Sequence, residues 1–462
     1  MTDDQPDTAP TCPLEANAVP IHGSGPNVDR HALWEQLRSR FGQVAPVRLS
    51  SDLAVWLVLG YEENLEVMRD WSTYSRDTRL WKDIREGRRQ LNGELRPTMS
   101  YRASALYADG AEHARLIAPI NDALARLSET RIHDDIVETS DLLIDAFCAA
   151  GRADLIGDYA ALLPALLMNR FFGLADTYGY ALSHLSKTMW NPDPALASDA
   201  ATQMGNYFLG LVQRKKAEPG ADLTSWMIEH ETGMTDSELV DQLILLSGAG
   251  HEPTTNLLGN VLWTLLVDSE VAREYSSGGV LLEEIINHVV WTEPPVQALA
   301  GRFPTRDVTL AHTRIGAGEP LVMGFAAAHA DPRLAGASDS HAAGSSLPAG
   351  HNSAHLIWGA GEHRCPARSL AMQIVSVGVN RLLDRIHNLQ LGVPPAELRW
   401  REEIFMRALA ELPVTFTPVA APERSRFPVA LTPSTAASDD TADEPSDLLS
   451  RVLRWWRARA SS

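Results

Sequence analysis

Cysteine is scarce in this chain. The 462 residues include three cysteines, Cys12, Cys148 and Cys365, which lie far apart in the sequence. That spacing excludes a disulfide framework and a Cys-x-x-Cys metal site, because both need several cysteines at short separations. So few thiols fit a reducing compartment, and we expect a cytoplasmic protein.

Long hydrophobic runs are also missing. The first residues, MTDDQPDTAPTCPLEANAVP, contain neither the basic residues nor the apolar stretch of a secretory signal. The apolar stretch YAALLPALLMNRFFGLA is interrupted by Pro164 and Arg170, so it is too short to cross a bilayer. The sequence therefore predicts no membrane-spanning segment.

Basic residues are outnumbered by acidic ones. Forty Lys and Arg residues stand against 59 Asp and Glu residues, which gives a formal net charge of -19. A surface with this excess of negative charge repels phosphate backbones. A general nucleic-acid binder is therefore excluded.

Composition divides the chain into four parts. Residues 1–25 are rich in Pro, Asp and Gly and predict a flexible leader, and residues 26–418 carry the patterns of one large domain. Residues 419–446 are rich in Ser, Thr, Pro and acids and predict a disordered linker. Residues 447–460 predict a basic amphipathic helix, which could dock on an acidic membrane surface or a partner protein, or fold back on its own domain.

Helical periodicity dominates the large domain. Strand-like alternation is confined to short pieces, VRLSSDLAVWLVLG, DVTLAHTRIGAGEPLVM and LPVTFTP. The longest helix is predicted to begin at Thr235, because Glu238 follows at capping-box spacing, and to run to about Val267. Pro253 lies near its midpoint, where a proline removes a backbone N–H and bends a helix.

The stretch HLIWGAGEHRCPARSLAMQIV carries the strongest chemical signal. A Gly-x-Gly turn precedes Cys365, and Pro366 is predicted to open the next helix. A helix N-terminus and inward-pointing amides stabilise a thiolate at such a position. The residues alone leave open a metal ligand, a catalytic nucleophile or a buried thiol.

The wider pattern of this stretch resembles the haem-binding loop of the cytochrome P450 family. The matching segment is WGAGEHRC, with Trp358 where the family usually has Phe and with Cys365 at the position of the haem ligand. Four further segments resemble family motifs in the expected order, namely DGAEHARL, SGAGHEPTTN, PPVQALAGR and FAAAHADP, and LPVTFTP matches the end. The resemblance covers roughly residues 25–418.

The resemblance implies a fold, a cofactor and a set of binding residues. The fold is mainly α with small β-sheets, the cytochrome P450 fold, in a single large haem-thiolate domain with a long central distal helix. The cofactor is haem b, with Cys365 as the axial ligand of the iron. The residues expected to hydrogen-bond the two propionates are His113, Arg302, His355 and His363, with Arg115 as a weaker candidate.

One departure concerns the family's Glu-x-x-Arg motif, a buried ion pair that is completed by a second Arg before the cysteine loop. The segment EEIINH places Glu284 and Asn287 at these positions, and residues 334–354 contain neither Arg nor Lys. Breaking one side of a buried pair is costly, so the joint loss indicates a replaced network. We expect Glu284 to meet His288, His341 or His351, and the chain resembles actinobacterial members that lack this Arg.

The second departure concerns the distal helix. The family places an acid and then a Thr whose hydroxyl helps to deliver protons during oxygen activation, whereas this chain has Glu252, Pro253 and then Thr254. A shift of one residue is about 100° around a regular helix. Pro253 would leave the Ala249 carbonyl without its helical N–H partner and fix the bend covalently.

Two functions follow from the resemblance. The first is a monooxygenase that uses O2, Glu252 and Thr254, with electrons from a ferredoxin and its reductase, on an apolar small molecule. The second is a haem-thiolate protein outside that cycle, either a peroxide-driven or isomerase-type enzyme or a regulatory, partner-binding module. A Cys-nucleophile hydrolase fits less well, because His363 is badly placed to act as a base for Cys365.

Overall fold

The computed structural model describes most of the chain. The described residues are 13–21, 29–50, 53–89, 99–174, 182, 184–186, 188, 189, 193–334, 353–401, 403 and 405–422. Nearly all of the predicted linker and the whole predicted helix 447–460 lie outside the described residues. His341 and His351 lie outside them too.

Helices dominate the described residues, as the periodicity predicts. The helices are α1 (Pro13–Asn17), α2 (Arg30–Phe41), α3 (Tyr61–Arg69), α4 (Lys82–Arg85), α5 (Gly110–Ala125), α6 (Glu129–Phe147), α7 (Leu162–Phe171), α8 (Pro194–Ala217), α9 (Leu223–Glu229), α10 (Asp236–Val267), α11 (Ser269–Ser276), α12 (Leu282–Thr292), α13 (Phe325–His329) and α14 (Arg368–Arg385). The strands are β1 (Val19–Pro20), β2 (Val44–Ser50), β3 (Leu53–Val58), β4 (Tyr74–Ser75), β5 (Arg152–Asp154), β6 (Leu299–Pro304), β7 (Val308–Leu310), β8 (Thr313–Ile315), β9 (Leu321–Met323), β10 (Gln390–Leu391) and β11 (Pro413–Thr415).

A six-stranded sheet organises the first of two compact units, which draws on residues 1–90, 274–365 and 399–408. Its strand order is β1-β2-β3-β9-β6-β4. Strands β2 and β3 pair in antiparallel register, with Val44 opposite Val58. Strand β3, LAVWLV, is buried at every residue, as expected of an apolar strand that is covered on both faces.

Part of the predicted leader is structured. Strand β1 pairs in parallel with β2, with Val19 opposite Val47. Arg48 of β2 donates from Nη1 to the Glu15 carboxylate of α1 over 3.2 Å. The prediction of a loose leader is therefore wrong for residues 13–21, because backbone pairing and this ion pair hold them on the sheet.

Helices form most of the second compact unit, which draws on residues 91–273, 366–398 and 409–462. Helix α10 packs against α7, α8 and α14, and α14 also packs against α6. A three-stranded sheet of order β10-β11-β5 completes the unit, and its middle strand is the predicted piece LPVTFTP.

The long helix predicted from the sequence is confirmed as α10. The Thr235 hydroxyl accepts from the Glu238 N–H over 3.3 Å, and the Glu238 carboxylate accepts from the Thr235 N–H over 2.8 Å. These reciprocal bonds form a capping box that satisfies two of the free N–H groups at the helix start. The helix continues through Pro253 and ends at Val267.

The fold class expected from the resemblance is confirmed, since helices dominate, the sheets are small and α10 is long. Among the described helices, none combines the length and the apolar character needed to cross a membrane.

Removing the α10 cap should destabilise the protein measurably. We expect Thr235→Ala to lower the free energy of unfolding by about 1 kcal/mol, because the Glu238 N–H loses its acceptor. Urea unfolding measures this change. The matched control is Thr202→Ala on the exposed side of α8. Among the described residues, the Thr202 hydroxyl bonds within its own helix, to the Ser198 carbonyl at 3.0 Å. An equal loss in both variants would show that the cap adds nothing.

Candidate functional site

Backbone hydrogen bonds hold the loop that carries Cys365. The Cys365 N–H donates to the Trp358 carbonyl over 2.8 Å, and the Gly359 N–H donates to the Leu356 carbonyl over 2.8 Å. Between them Gly361–His363 forms one turn of 3-10 helix. The loop therefore closes on itself and presents a half-buried thiol at a fixed place.

Two glycines are required by the path of this loop. Gly359 has φ +68° and Gly361 has φ +71°, a region that residues with a Cβ rarely adopt. A Cβ on Gly361 would lie 2.7 Å from the Met68 carbonyl oxygen of α3, which is closer than real Cβ contacts. The Gly-x-Gly pattern is thus required for two reasons, the positive φ of both residues and the close approach of Gly361 to α3.

The helix after the cysteine begins later than predicted. Helix α14 starts at Arg368, and Pro366 lies in the turn before it. The expectation that Pro366 opens the helix is wrong by two residues, because the chain makes one further turn after leaving the loop.

Buried cationic side chains lie in the same unit as Cys365. Arg302 on β6 is 2% exposed, and its Nη1 donates to the Tyr74 carbonyl over 2.9 Å. Arg76 is equally buried and donates to the Ala300 carbonyl over 2.7 Å. Sequence reasoning missed Arg76, which directly follows the two-residue strand β4. Buried guanidinium groups favour anionic partners, so this neighbourhood suits a group that carries carboxylates.

Histidine and tryptophan complete this set of residues. His355 is 8% exposed, and Nε2 of His363 lies 3.5 Å from the Glu362 carboxylate. The indole Nε1 of Trp358 is buried and has no hydrogen-bond partner within the described part of the chain. The half-buried Cys365 sulfur, the buried cations and an indole N–H with no acceptor among the described residues fit haem b, which needs a metal ligand and donors for two propionates.

The second unit carries the remaining predicted residues. His113 of α5 is 4% exposed. Arg115, two residues on, pairs with Glu112 over 2.7 Å and also with Glu238, the capping residue of α10. The hydrogen bonds that the Arg115 guanidinium donates to these two carboxylates raise its pKa. Arg115 thus joins α5 to α10, and its role towards a propionate stays a prediction.

The middle of α10 has an open side. Gly248 and Ala249 are exposed although Ser247 and His251 beside them are buried, and a Cβ on Gly248 would meet nothing within 4 Å. His251 turns inward, where its Nε2 lies 2.8 Å from the Ala161 carbonyl oxygen and must donate to it. The open side therefore leaves room for a ligand.

The two predicted proton carriers differ in burial. Glu252 is half-buried, whereas Thr254 is 5% exposed. Both lie on α10 just beyond the open side, on either side of Pro253. Their roles in proton delivery, and the roles of Pro253 and Ala249, stay predictions.

Glu284 does not belong to a buried network, and that prediction is wrong. Helix α12 begins at Leu282, so Glu284 lies in its first turn and is exposed. Its carboxylate accepts from the Leu281 N–H over 2.7 Å and caps the helix start, where an acid is favoured. Asn287 is half-buried one turn further on.

Aromatic and imidazole rings lie at the other end of α12, and sequence reasoning missed them. Trp291 packs on His329 with ring centroids 4.7 Å apart, and His355 lies 6.3 Å from Trp291. Trp358 lies 6.5 Å from His355. We name these four residues the Trp–His cluster. A signal for this cluster was available in the sequence. His288 and Trp291 are separated by the same three-residue interval as Glu284 and Asn287, one helical turn further along the chain.

Comparison with known proteins identifies relatives of this chain, although no protein-family model matches it. PikC, a cytochrome P450 monooxygenase of Streptomyces venezuelae, is 29% identical over 400 residues, which is 84% of this chain and 91% of PikC. The 2-hydroxy-5-methyl-1-naphthoate 7-hydroxylase of Streptomyces carzinostaticus is 29% identical over 401 residues, 84% of this chain and 95% of the hydroxylase. The solved structure of CYP154C4 from a Streptomyces species superposes with a TM-score of 0.76 at 26% identity, covering 86% of this chain and 98% of that one.

The fold and these relatives indicate a haem enzyme. The chain is similar to cytochrome P450 monooxygenases over 84% of its length, and its cofactor is haem b. It is a haem-dependent monooxygenase.

A side chain at Gly361 should destabilise the protein by more than its backbone conformation alone would, because of the close approach to α3. We expect Gly361→Ala to lower the free energy of unfolding by roughly 1–3 kcal/mol because of the positive φ. The contact with the Met68 carbonyl should lower it by roughly 1–3 kcal/mol more. The matched control is Gly87→Ala, because Gly87 has φ +68° and a Cβ there would meet nothing within 4 Å. Urea unfolding of both variants measures the difference. Equal losses would mean that only the backbone conformation matters.

Proposed function

We propose that this protein inserts one oxygen atom from O2 into an apolar small molecule, with electrons from a ferredoxin and its reductase. The observation that carries this proposal is Cys365 on a closed loop with two positive-φ glycines. The same loop would hold the sulfur as a ligand of the haem iron, and the cofactor would supply the activation of O2.

The residues around the loop would hold the cofactor in place. Arg302 and His355 are buried in the first unit, and His363 lies two residues before the cysteine. These cationic or donor side chains would bind the two propionates. The burial of Arg302 and His355 excludes water and strengthens each hydrogen bond to an anion.

Glu252 and Thr254 would deliver protons. Helix α10 runs through Pro253, which has no N–H to donate, so the Ala249 carbonyl four residues earlier lacks its helical partner. Ala249 is exposed on the open side of the helix. That oxygen can accept from water, which would give the half-buried Glu252 carboxylate an ordered route for protons.

An apolar substrate fits the open side of α10. Gly248 and Ala249 offer no polar side chain there, and Met168 of α7 lies 3.2 Å from the position of a Cβ on Gly250. The naphthoate hydroxylase, a relative of this chain, acts by its name on an aromatic small molecule. Arg364 next to the cysteine is exposed and would suit an acidic ferredoxin. A cytoplasmic location is part of the same proposal.

A second function is supported by Pro253. Because the hydroxyl expected at that position is missing, the alternative is a haem-thiolate enzyme that takes its oxygen from peroxide and does not run the O2 cycle. Oxygen consumption with NADH, a ferredoxin system and a substrate library separates the two. Turnover with peroxide alone, or none with any redox partner, would favour the second function.

The thiolate ligand predicts a characteristic spectrum. The ferrous–CO complex of the purified protein should show the long-wavelength Soret band of a haem thiolate, and Cys365→Ala should lack it. The control is Cys148→Ala, which removes a thiol that is buried in the other unit. A wild-type protein without the band, or a Cys365→Ala variant that keeps it, would contradict the proposal.

The proton route predicts a difference between two neighbouring threonines. Thr254→Val and Glu252→Gln should each lower the product formed per NADH oxidised by roughly tenfold or more, in the range of a lost general acid. Thr255→Val is the matched control, because Thr255 is also 5% exposed. Peroxide-driven turnover should stay near the wild-type rate, since peroxide brings its own protons. Equal effects in Thr254→Val and Thr255→Val would rule out a special role for Thr254.

A further inference from the structure

The Trp–His cluster is connected to the cysteine loop by a side-chain hydrogen bond. Nε2 of His329 accepts from the Leu356 N–H over 2.9 Å. Since the donor is a backbone amide, Nε2 must be the unprotonated nitrogen of the ring. Leu356 is 2% exposed, so its amide cannot turn to water and depends on a protein acceptor.

Leu356 in turn sets the position of Cys365. The Leu356 carbonyl accepts from the Gly359 N–H, which closes the turn that contains Trp358. The Trp358 carbonyl then accepts from the Cys365 N–H over 2.8 Å. A displacement of the Leu356 amide therefore reaches the cysteine through two backbone hydrogen bonds.

Trp291 fixes the ring that begins this connection. Its indole lies against the His329 ring at 4.7 Å with 49° between the ring planes. Trp291 is the penultimate residue of α12, and Pro294 and Pro295 follow shortly after. The helix end and the prolines thus hold the indole on a rigid support.

We propose that Trp291 and His329 are positioning residues for Cys365, in the place of the buried ion pair that the Glu-x-x-Arg motif supplies in the family. Trp291 orients the His329 ring, and His329 holds the Leu356 amide and with it the loop. Both residues act through the loop backbone, by way of the Leu356 amide. This inference rests on the proposed haem-thiolate function.

Two substitutions of His329 separate the acceptor from the volume of the side chain. In His329→Gln the amide oxygen can reach the position of Nε2, whereas in His329→Asn the shorter side chain cannot. We expect the Leu356 amide to exchange with solvent about tenfold faster in His329→Asn, the factor that corresponds to one lost hydrogen bond. The exchange rate should stay within about twofold of wild type in His329→Gln.

The holoprotein gives a second readout. The fraction of the ferrous–CO complex in the long-wavelength thiolate form should fall in His329→Asn and in Trp291→Leu, and should be kept in His329→Gln and Trp291→Phe. The control for Trp291→Leu is Trp34→Leu. Both tryptophans are half-buried and line the same cavity of about 280 Å³, but Trp34 is not part of the Trp–His cluster.

The outcomes decide between positioning and plain packing. The inference would be overturned if the thiolate fraction fell equally in Trp34→Leu and Trp291→Leu, because packing alone would then explain the effect. An equal fall in His329→Gln and His329→Asn would overturn it for the same reason. An unchanged exchange rate in His329→Asn would also overturn it. If the wild-type protein lacks the thiolate band, the proposed function fails, while the exchange rate of Leu356 still tests the connection. If His329→Asn does not fold, an exchange rate in His329→Gln well above the wild-type rate contradicts the inference, and a rate close to wild type supports it.

Discussion

The hydrogen bond from the Cys365 amide to the Trp358 carbonyl is the constraint on which the site depends. It closes a loop whose path requires two glycines, and a Cβ on the second would collide with the Met68 carbonyl. Helix α3, the loop and the thiol are therefore fixed relative to one another. A chain that gained a side chain at Gly361 would have to move either the helix or the sulfur.

The Glu-x-x-Arg ion pair that the family uses near this loop is absent. Glu284, which was expected to contribute to its replacement, caps the start of α12. The structure instead places rings next to the cysteine loop, with Trp291 on His329 and His329 on the Leu356 amide. Stacking and one hydrogen bond do not incur the cost of burying charges, so the substitution avoids the desolvation that an ion pair requires.

Local signals predicted the elements well and the partners poorly. The start of α10 could be predicted because Thr235 and Glu238 lie within one turn, and the capping box depends on nothing further away. The cysteine loop could be predicted because its glycines follow from backbone conformation. The Trp–His cluster could not, since Trp291, His329 and His355 are separated by many residues and only the folded chain brings their rings together. The roles of His113 and Arg115 depend on the same kind of long-range placement.

Glu238 concentrates three connections in a single carboxylate. It caps α10, bonds the Thr235 hydroxyl at 3.0 Å and pairs with Arg115 of α5. Burial opposes its ionisation, but the bonds from Arg115 and Thr235 outweigh it and lower the pKa of Glu238. Its ionised form therefore stabilises the fold above its ordinary titration range, and this contribution is lost as the pH falls through the lowered value. Acidification would thus weaken the helix start and the α5 attachment together, which makes this junction the acid-sensitive end of the long helix.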